Sequence, residues 1–395
     1  MNKLVFRKEF FLIFLVYALI ISIWAFNEEK FVTFPIKIAY IISMLIYCLK
    51  KDRCLLPFQI WSFVMILLSI IATLVAGFSS HSIYTLINVI QVFIIGYVTY
   101  GYIDSDHKRN LFINAFITGG FILFARLLIT TPLSVWLSFA RLGETIGYNS
   151  NDVGNKAMIS AFFAILMMKN SKNKKLLFFI MFLLFGGLVL FSGSRKALIA
   201  LVIGFILLYT IGLKSKKDLV LSVFGIAIVL IILYVFIMNN DALYKTIGRR
   251  IESMINVLFN GGNEASSIDL REKYMSIAWS FVKESPIVGI GLGEFAIKSG
   301  IGVYCHCDYL EVLCSYGFVG AIIYYSTYFK SIKSFLFSKN KDTMKYSMVI
   351  LTIVILFTFL TMVMYISAYT IILSVLIYRE LVVKKCKNKI ILDVN

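Results

Sequence analysis

Charged residues and histidine are scarce in this sequence. Only 15% of the 395 residues are charged, 21 are acidic and three are histidines. Soluble domains carry about 25% charged residues, so this composition excludes an ordinary soluble enzyme. The six cysteines show no spacing typical of a zinc or haem site, and no low-complexity tract or separate soluble domain interrupts the chain.

Apolar residues are correspondingly abundant. They make up 60% of the chain, and the mean hydropathy is +0.87. Apolar runs of about 18 or more residues are typical of membrane-spanning helices. We divide the run at 346–383 into two short spans because it is too long for one. The sequence then predicts twelve spans, at 10–26, 31–49, 55–77, 82–103, 111–130, 153–168, 175–191, 196–212, 219–238, 317–336, 346–363 and 367–383.

The basic residues predict the orientation of these spans. A net charge of +18 would suggest nucleic-acid binding in a soluble protein. Here most of the 39 lysines and arginines lie at the termini and in alternate connections. Because cytoplasmic loops are enriched in lysine and arginine, we expect both termini inside, an even number of spans and no nucleic-acid partner.

Two connections on the predicted outer side are long, within a chain that we interpret as one integral membrane domain over 1–395. One covers 131–152 and the other, the large extracytoplasmic loop, covers 239–316. A connection of this length in a compact protein is typical of a functional region. Within it, a capping box at Ser266 precedes an amphipathic helical run that Pro286 ends.

Several cations lie on the predicted outer side, where lysine and arginine are otherwise depleted. Ionisable groups at membrane depth cost on the order of 2.5–3.5 kcal/mol and are usually functional. Guanidinium groups form forked hydrogen bonds with phosphate, so a lipid-linked diphosphate is our candidate ligand. These outer cations are Arg141, Arg195, Lys196, Arg249, Arg250 and Arg271.

Each of these cations has a second interpretation. The Arg195 side chain could reach lipid phosphates, and Arg271 could have no role beyond being part of a capped helix. Arg249 and Arg250 could be ordinary surface charges, which is the interpretation we favour for that pair. For Arg195 we favour a functional role, because the surrounding glycines and serines leave room for a ligand to approach.

His306 lies where a glycine-rich stretch gives way to a run that predicts a helix, with Tyr309 and Leu310 on the same face. A free imidazole has a pKa near 6.5, so a histidine can accept a proton at neutral pH. A helix N-terminus and nearby arginines would keep the ring neutral. The alternatives are a histidine bonded within its own loop and a metal site with Cys305 and Cys307, which adjacent residues form poorly.

The order of these motifs resembles that of the O-antigen polymerase and O-antigen ligase superfamily, which includes Wzy-type polymerases. The matching features are SGSR at the eighth predicted span, R…W…P…G.G in the long loop and H.DYL…YG..G at its end. Arg141 and Asn151 match an R.G…N.N segment in the shorter outer loop. Cys307 departs from the pattern, because family members commonly carry asparagine after the histidine. The motifs cover residues from Arg141 to about Gly320, and the remainder resembles the family by span pattern only.

The resemblance implies an all-α, GT-C-like membrane protein that transfers glycan without a metal or cofactor at the outer face of the bacterial plasma membrane. The donor would be a polyprenyl-diphosphate-linked oligosaccharide and the acceptor another lipid-linked repeat unit, which makes the enzyme a polysaccharide polymerase. His306 would be the general base, and Arg195 and Arg271 would stabilise the departing diphosphate. The residues assigned to substrate binding are Arg141, Asn151, Lys196, Asp308, Tyr309, Arg249 and Arg250.

Other functions stay open at this point. A ligase would move finished glycan to a lipid core or protein, and a flippase or chain-length regulator could accompany a polymerase as a partner. A transporter of lipid-linked sugars would need polar residues midway along several spans, whereas these spans are nearly free of charge. A non-enzymatic assembly subunit would leave the arginines and the histidine unexplained.

Overall fold

The structure is a computed structural model of the chain. It describes residues 3–50, 56–137, 142–143, 146–171, 173–210, 216–249, 251–252, 266–339 and 342–383. Within these ranges the regular structure is helical and contains no β-strand. The all-α prediction is therefore confirmed for this part of the chain.

The described residues form sixteen α-helices and two π-helical turns. They are α1 (Lys3–Ala25), α2 (Lys30–Leu49), α3 (Pro57–Val75), α4 (Ser80–Tyr102), α5 (Asp106–Thr130), α6 (Leu133–Leu137), α7 (Ser150–Asn170), α8 (Lys175–Ser192), α9 (Arg195–Thr210), α10 (Lys216–Asn239), α11 (Asp241–Leu243), α12 (Ser266–Glu284), α13 (Phe295–Lys298), α14 (Asp308–Leu336), α15 (Thr343–Phe359) and α16 (Ala368–Tyr378), with π-helical turns at Tyr244–Gly248 and Arg379–Val383.

Every predicted apolar run coincides with a helix. Six of the described helices are long and apolar enough to cross a membrane, namely α2, α3, α4, α5, α8 and α14. Shorter apolar helices cover Glu9–Ala25 and Thr343–Phe359. The protein is thus a helical, multi-pass membrane protein, while the count of twelve spans stays a prediction.

The predicted helix in the long loop is present as α12, which ends at Glu284, two residues before Pro286. The run after His306 is also helical, and it leads into the tenth predicted span within α14. The helix is broken at Gly317, whose φ of 63° and ψ of −170° are not helical. The extracytoplasmic position of 131–152 and 239–316 stays a prediction.

The chain forms two compact units. The first comprises residues 1–37 and 110–264, and the second comprises residues 38–109 and 265–395. The candidate residues Asn151, Arg195 and Lys196 therefore belong to the first unit, whereas Arg271, His306, Asp308 and Tyr309 belong to the second.

A buried aromatic contact holds α1, α5 and α7 together in the first unit. The Trp24 indole N–H donates to Ser160 Oγ at 3.1 Å, and that hydroxyl donates to the Phe116 carbonyl at 3.0 Å. The Trp24 and Phe116 rings meet edge to face at 4.9 Å. Gly120 permits this approach, because a Cβ there would lie 2.4 Å from Ser160 Oγ.

Aromatic rings also fill the centre of the second unit. The Phe58 ring stacks on Tyr100 at 5.3 Å and meets Tyr378 edge to face at 5.3 Å, which joins α3, α4 and α16. The Trp61 indole N–H donates to the Ile323 carbonyl of α14 at 2.7 Å. Buried indole and phenol rings combine a large apolar area with one polar group that needs a partner, and here the indole N–H has one.

Candidate active site

The turn between α8 and α9, which we call the SGSR turn (residues 192–195), presents two cations. Ser192 ends α8, and Gly193 follows in the left-handed conformation with a φ of 62°. The Ser194 amide donates to Ser192 Oγ at 3.2 Å. This tight reversal places Arg195 and Lys196, both half-buried, at the start of α9.

Helix α7 passes close to the SGSR turn because it carries glycine at position 154. A Cβ at Gly154 would lie 2.7 Å from both Ser192 Oγ and the Ser194 Cβ. Real Cβ atoms do not approach other atoms so closely, so any other residue would push the turn away from α7. Asn151 lies one turn earlier on α7 and is half-buried, near the N-terminus of that helix.

Cations at the first turn of α9 are electrostatically unfavourable on their own. The N-terminus of a helix carries about half a positive charge, which repels lysine and arginine by roughly 0.3–1 kcal/mol each. An anion at the same place would contact the exposed amide groups and both cations. Arg195 and Lys196 stand at the N-terminus of α9, where both charges and the helix end would favour an anion.

Two further cations of the first unit were missed by sequence reasoning, and Arg126 is one of them. Its guanidinium donates to the Ala25 carbonyl and to the Glu29 carboxylate, and it lies 4.6 Å from the centre of the Phe26 ring. Arg126 falls inside the apolar run at 111–130, so its charge was hidden within a predicted span.

The second missed cation, Lys156, is almost completely buried. Its Nζ lies 2.7 Å from Asp152 Oδ2 and 4.5 Å from the centre of the Tyr148 ring. Tyr148 Oη accepts the Asn27 amide at 2.6 Å, and burial raises the pKa of this phenol. The spacing of four residues between Asp152 and Lys156 is the signal that could have revealed this ion pair.

The remaining outer cations of the first unit are less informative. Arg141 and Arg250 lie outside the described residues. Arg249 is exposed and directly follows the π-helical turn Tyr244–Gly248.

His306 occupies a strained position in what we call the histidine loop (residues 301–307). Its φ of 61° is uncommon for a residue with a side chain. The imidazole lies between two tyrosines: Tyr304 meets it edge to face at 4.6 Å, and Tyr274 is parallel to it within 14° at 6.0 Å. These aromatic neighbours orient the ring. Because the ring is only half-buried, part of it stays accessible.

Both neighbours of His306 are held by hydrogen bonds. The Cys305 amide donates to Glu311 Oε2 at 2.9 Å, and Cys305 Sγ donates to the Cys307 carbonyl at 3.1 Å. Glu311 is itself buried on α14. These bonds fix the backbone on each side of the histidine and so stabilise its left-handed conformation.

The two cysteines beside His306 do not resemble metal ligands. Burial raises the pKa of the Cys305 and Cys307 thiols, and Glu311 raises that of Cys305 further. Both thiols therefore favour the protonated, unreactive form. Over the described ranges, no group of three histidine, cysteine or acidic residues has the arrangement of a metal site.

Asp308 and Tyr309 connect the start of α14 to other parts of the second unit. The fully buried Asp308 carboxylate accepts the amides of Met364 and Tyr365 at 2.6 and 2.8 Å, and the Tyr325 hydroxyl at 2.9 Å. The Tyr309 hydroxyl donates to the carbonyl of residue 356 on α15 at 2.9 Å. The predicted substrate-binding roles of Asp308 and Tyr309 stay predictions, and the contacts described here are with protein.

Helix α12 brings Arg271 towards the histidine loop. Tyr274, which stacks on the imidazole, lies three residues after Arg271 and therefore on the same helix face. Further along α12, Ala278 and Val282 pack in one apolar cluster with Cys305 and other residues of the loop. Arg271 is half-buried and lies in the second turn of α12.

The segment that follows α12 pairs with α14 at the break in that helix. The Phe318 amide donates to the Pro286 carbonyl at 2.8 Å, and the Ile290 amide donates to the Cys314 carbonyl at 2.7 Å. Gly317 must be glycine, because its φ is 63° and a Cβ would lie 2.2 Å from a carbonyl oxygen of the 286–290 segment. The segment that begins at Pro286 is thus hydrogen-bonded to α14 on both sides of Gly317.

Residues 179–325 match the family described as O-Antigen ligase. This segment begins within α8 and contains the SGSR turn, α12, the histidine loop and the Gly317 break. We call this segment the O-antigen ligase domain after the family that it matches, and the match supports the predicted resemblance to the O-antigen polymerase and ligase superfamily. No curated protein matches the chain.

The O-antigen ligase domain includes most of the predicted site residues. Arg141 and Asn151 precede it in the sequence, as do the missed cations Arg126 and Lys156. Members of this family are membrane enzymes of the glycosyltransferase type. The domain offers cations at a helix N-terminus, a half-buried imidazole and an arginine on a neighbouring helix, which are the groups required for proton removal and for stabilising an anionic leaving group.

Proposed function

We propose that this protein is a polysaccharide polymerase of the outer face of the bacterial plasma membrane. It transfers a polyprenyl-diphosphate-linked glycan onto a second lipid-linked repeat unit. The main support for the proposal is the way in which the O-antigen ligase domain holds His306. Its imidazole is half-buried, and hydrogen bonds of Cys305 and Cys307 fix the backbone on both sides of it. A general base must be oriented towards the proton that it removes, and this loop provides that orientation.

The reaction is an inverting substitution at the anomeric carbon of the donor sugar. The acceptor hydroxyl attacks that carbon while an imidazole nitrogen of His306 takes the hydroxyl proton. The bond from carbon to the diphosphate oxygen breaks, and its electron pair leaves with the diphosphate. Arg195 and Arg271 stabilise the charge that grows on this leaving group, each through forked hydrogen bonds. The proposal assigns no step to a metal or cofactor.

The other assigned residues bind substrate in this proposal. Lys196 and Asn151 lie beside the SGSR turn and contact the donor, with Arg141 assisting. Arg249 and Arg250 contribute to the cationic surface of the large loop, and Asp308 and Tyr309 complete the acceptor side. A flippase supplies the lipid-linked repeat and a chain-length regulator limits the product.

The test is polymerisation of the lipid-linked repeat by the purified protein in proteoliposomes. His306→Asn is the informative variant, because asparagine tolerates a positive φ and leaves no base. We expect a loss of about 10²- to 10⁴-fold in polymer formation, with single repeats accumulating. His107→Asn, at an exposed position of α5, is the matched control and should polymerise normally. Normal-length polymer from His306→Asn would contradict the proposed role of the imidazole.

A ligase is the second candidate, and the match of residues 179–325 to the O-Antigen ligase family favours it. A ligase would transfer finished glycan once to a lipid core or protein acceptor. Product length separates the two activities in the same proteoliposomes: a polymerase gives a ladder of products from lipid-linked repeats alone, whereas a ligase leaves those repeats unchanged until the other acceptor is added.

A further inference from the structure

Polar side chains from three parts of the first unit meet where α1 is connected to α2. We call this the polar patch and define it as Asn27, Glu28, Glu29, Arg126 and Asp152, which come from the α1–α2 connection, the end of α5 and the first turn of α7. Asn27 and Glu28 are exposed, and the other three are half-buried. The predicted topology puts all three segments on the outer side. The catalytic proposal gives none of these five residues a role.

The polar patch surrounds the hydroxyl of the buried residue Tyr148. That oxygen accepts the Asn27 amide at 2.6 Å. Burial raises the pKa of this phenol, Arg126 lowers it, and the carboxylates of Asp152 and Glu28 raise it further. Charges act on a pKa in this way only at short range, so these three side chains lie close to one oxygen atom. The polar patch is therefore one site and not a set of scattered surface residues.

Fixed contacts orient two charged groups of the polar patch. The ammonium of Lys156, which is 1% exposed, lies 2.7 Å from Asp152 Oδ2. The Arg126 guanidinium donates to the Glu29 carboxylate and lies 4.6 Å from the centre of the Phe26 ring. Lys156 and Arg126 both fall within predicted spans, where ionisable groups are unfavourable and usually functional. These contacts hold the patch in shape before a ligand arrives, which selective binding requires.

Glu28 sets the charge of the polar patch. The charges of Arg126 and Glu29 offset each other in an ion pair, as do those of Lys156 and Asp152. Glu28 forms no ion pair within the described residues, so the patch and its buried lysine carry one net negative charge. An anionic group would be repelled here, whereas hydroxyl, amide and amino groups can donate hydrogen bonds to the carboxylates.

The polar patch adjoins the SGSR turn through α7. Gly154 lies between Asp152 and Lys156 in the sequence, and a Cβ there would lie 2.7 Å from both Ser192 Oγ and Ser194 Cβ. The same stretch of α7 therefore touches the turn and supports the patch. A cationic turn beside a surface of acceptors complements a ligand in which a diphosphate is next to a sugar, because phosphate needs donors and sugar hydroxyls can donate.

We propose that the polar patch binds the donor sugar next to its diphosphate and selects sugars that carry no carboxylate. This rests on the proposed function, which supplies a donor with a diphosphate-linked sugar. Glu28 and Asp152 accept hydrogen bonds from hydroxyl, amide or amino groups of the sugar, and Arg126 donates to its oxygen atoms. A uronic acid brings a second carboxylate against Glu28 and is disfavoured.

Binding of three synthetic ligands to the purified full-length protein in detergent tests this. They are farnesyl diphosphate, farnesyl-diphospho-glucose and farnesyl-diphospho-glucuronic acid, and the two sugars differ only at C6. Isothermal titration calorimetry measures each Kd. We expect the glucose ligand to bind about tenfold more tightly than either of the others. Equal affinity for glucose and glucuronic acid would overturn the selection, and equal affinity with and without glucose would overturn the sugar subsite.

Variants of Glu28 separate its charge from its hydrogen bonding at an exposed position that tolerates substitution. Glu28→Gln keeps an acceptor oxygen, so the preference for glucose over glucuronic acid should fall below about threefold while glucose binding is kept. Glu28→Lys should reverse the preference, because it attracts the carboxylate. Glu9→Lys, at an exposed position near the other end of α1, is the matched control and should bind like wild type. Unchanged Kd values in both Glu28 variants would remove Glu28 from sugar recognition.

These outcomes do not depend on polymerisation. A preference for glucose that is lost in Glu28→Gln supports the polar patch even if lipid-linked repeats are not polymerised. If farnesyl diphosphate binds and neither sugar improves its affinity, the patch is overturned while the proposed class of donor stands. If none of the three ligands binds, the proposed donor and the patch are both contradicted.

Discussion

The SGSR turn and the histidine loop present their functional groups by opposite means. At the turn, glycines shape the backbone. Gly193 reverses the chain and Gly154 lets α7 approach, which leaves two cations at the N-terminus of α9. In the loop, hydrogen bonds to buried acceptors hold a strained residue. Cys305 donates to the Glu311 carboxylate and to the Cys307 carbonyl, which fixes the backbone on each side of His306. A phosphate site depends mainly on charge, whereas a general base depends on orientation. The two regions should therefore respond differently to conservative substitutions.

Charge at the turn gives the largest expected effect. Arg195→Glu should reduce glycosyl transfer about 10³-fold, because an anion would then face the leaving diphosphate. Arg195→Lys keeps the charge and loses the forked geometry, so we expect a loss of only about tenfold. Initial rates on lipid-linked substrate measure both. Equal losses in the two variants would show that charge is not what the turn contributes.

Orientation in the loop gives the next largest effect. Glu311→Leu removes the acceptor of the Cys305 amide and leaves it buried without a partner, which costs roughly 1–3 kcal/mol. We expect about a 10²-fold fall in kcat with little change in KM, since His306 is displaced while substrate binding is kept. Glu311→Gln keeps an acceptor oxygen and should stay within a few fold of wild type. If KM rises instead of kcat falling, Glu311 does not act through the histidine.

Close packing beneath the turn gives a smaller effect, which concerns stability. Gly154→Ala would place a Cβ 2.7 Å from Ser192 Oγ, and overpacking of this kind costs about 1–3 kcal/mol. Thermal unfolding in detergent should show a lower midpoint for this variant. Gly187→Ala, in open space on α8, is the matched control and should not lower it. An unchanged midpoint for Gly154→Ala would mean that α7 and the turn separate easily.

Thiol reactivity gives the smallest effect. The pKa values of Cys305 and Cys307 are raised by burial, so both thiols stay protonated to higher pH than a free cysteine of pKa about 8.5. Between pH 7 and 9 we expect little alkylation of either residue by maleimide in the folded protein and rapid alkylation after denaturation. Mass spectrometry of the labelled peptides measures this, and fast labelling at pH 7 would contradict the protonated state.

Much of the helical framework could be predicted from the sequence. Each apolar run became a helix because length and hydropathy are local properties that a window of residues reveals. The helix after His306 was also predictable, and it begins at Asp308. The Gly317 break within it was not, because it depends on pairing with a segment some thirty residues earlier.

The candidate site was less accessible to sequence reasoning. Residue types and order selected Arg195, Arg271 and His306 as candidates, and those assignments stay predictions, but they did not predict the contacts around these residues. Lys156 was overlooked because its importance lies in complete burial beside Asp152 and Tyr148, which only packing creates. The left-handed φ of His306 was equally hidden, since non-glycine residues rarely adopt it and no neighbouring residue predicts it.

The interruption of α14 at Gly317 has a mechanical consequence. A glycine break in a long helix usually acts as a hinge, but here amides and carbonyls on both sides of it are bonded to residues 286–290. The bonded segment bridges the break, so the two parts of α14 cannot swing independently. The part of α14 before Gly317 therefore keeps its direction relative to the part after it, and His306, two residues before the start of α14, stays in register with the tenth predicted span.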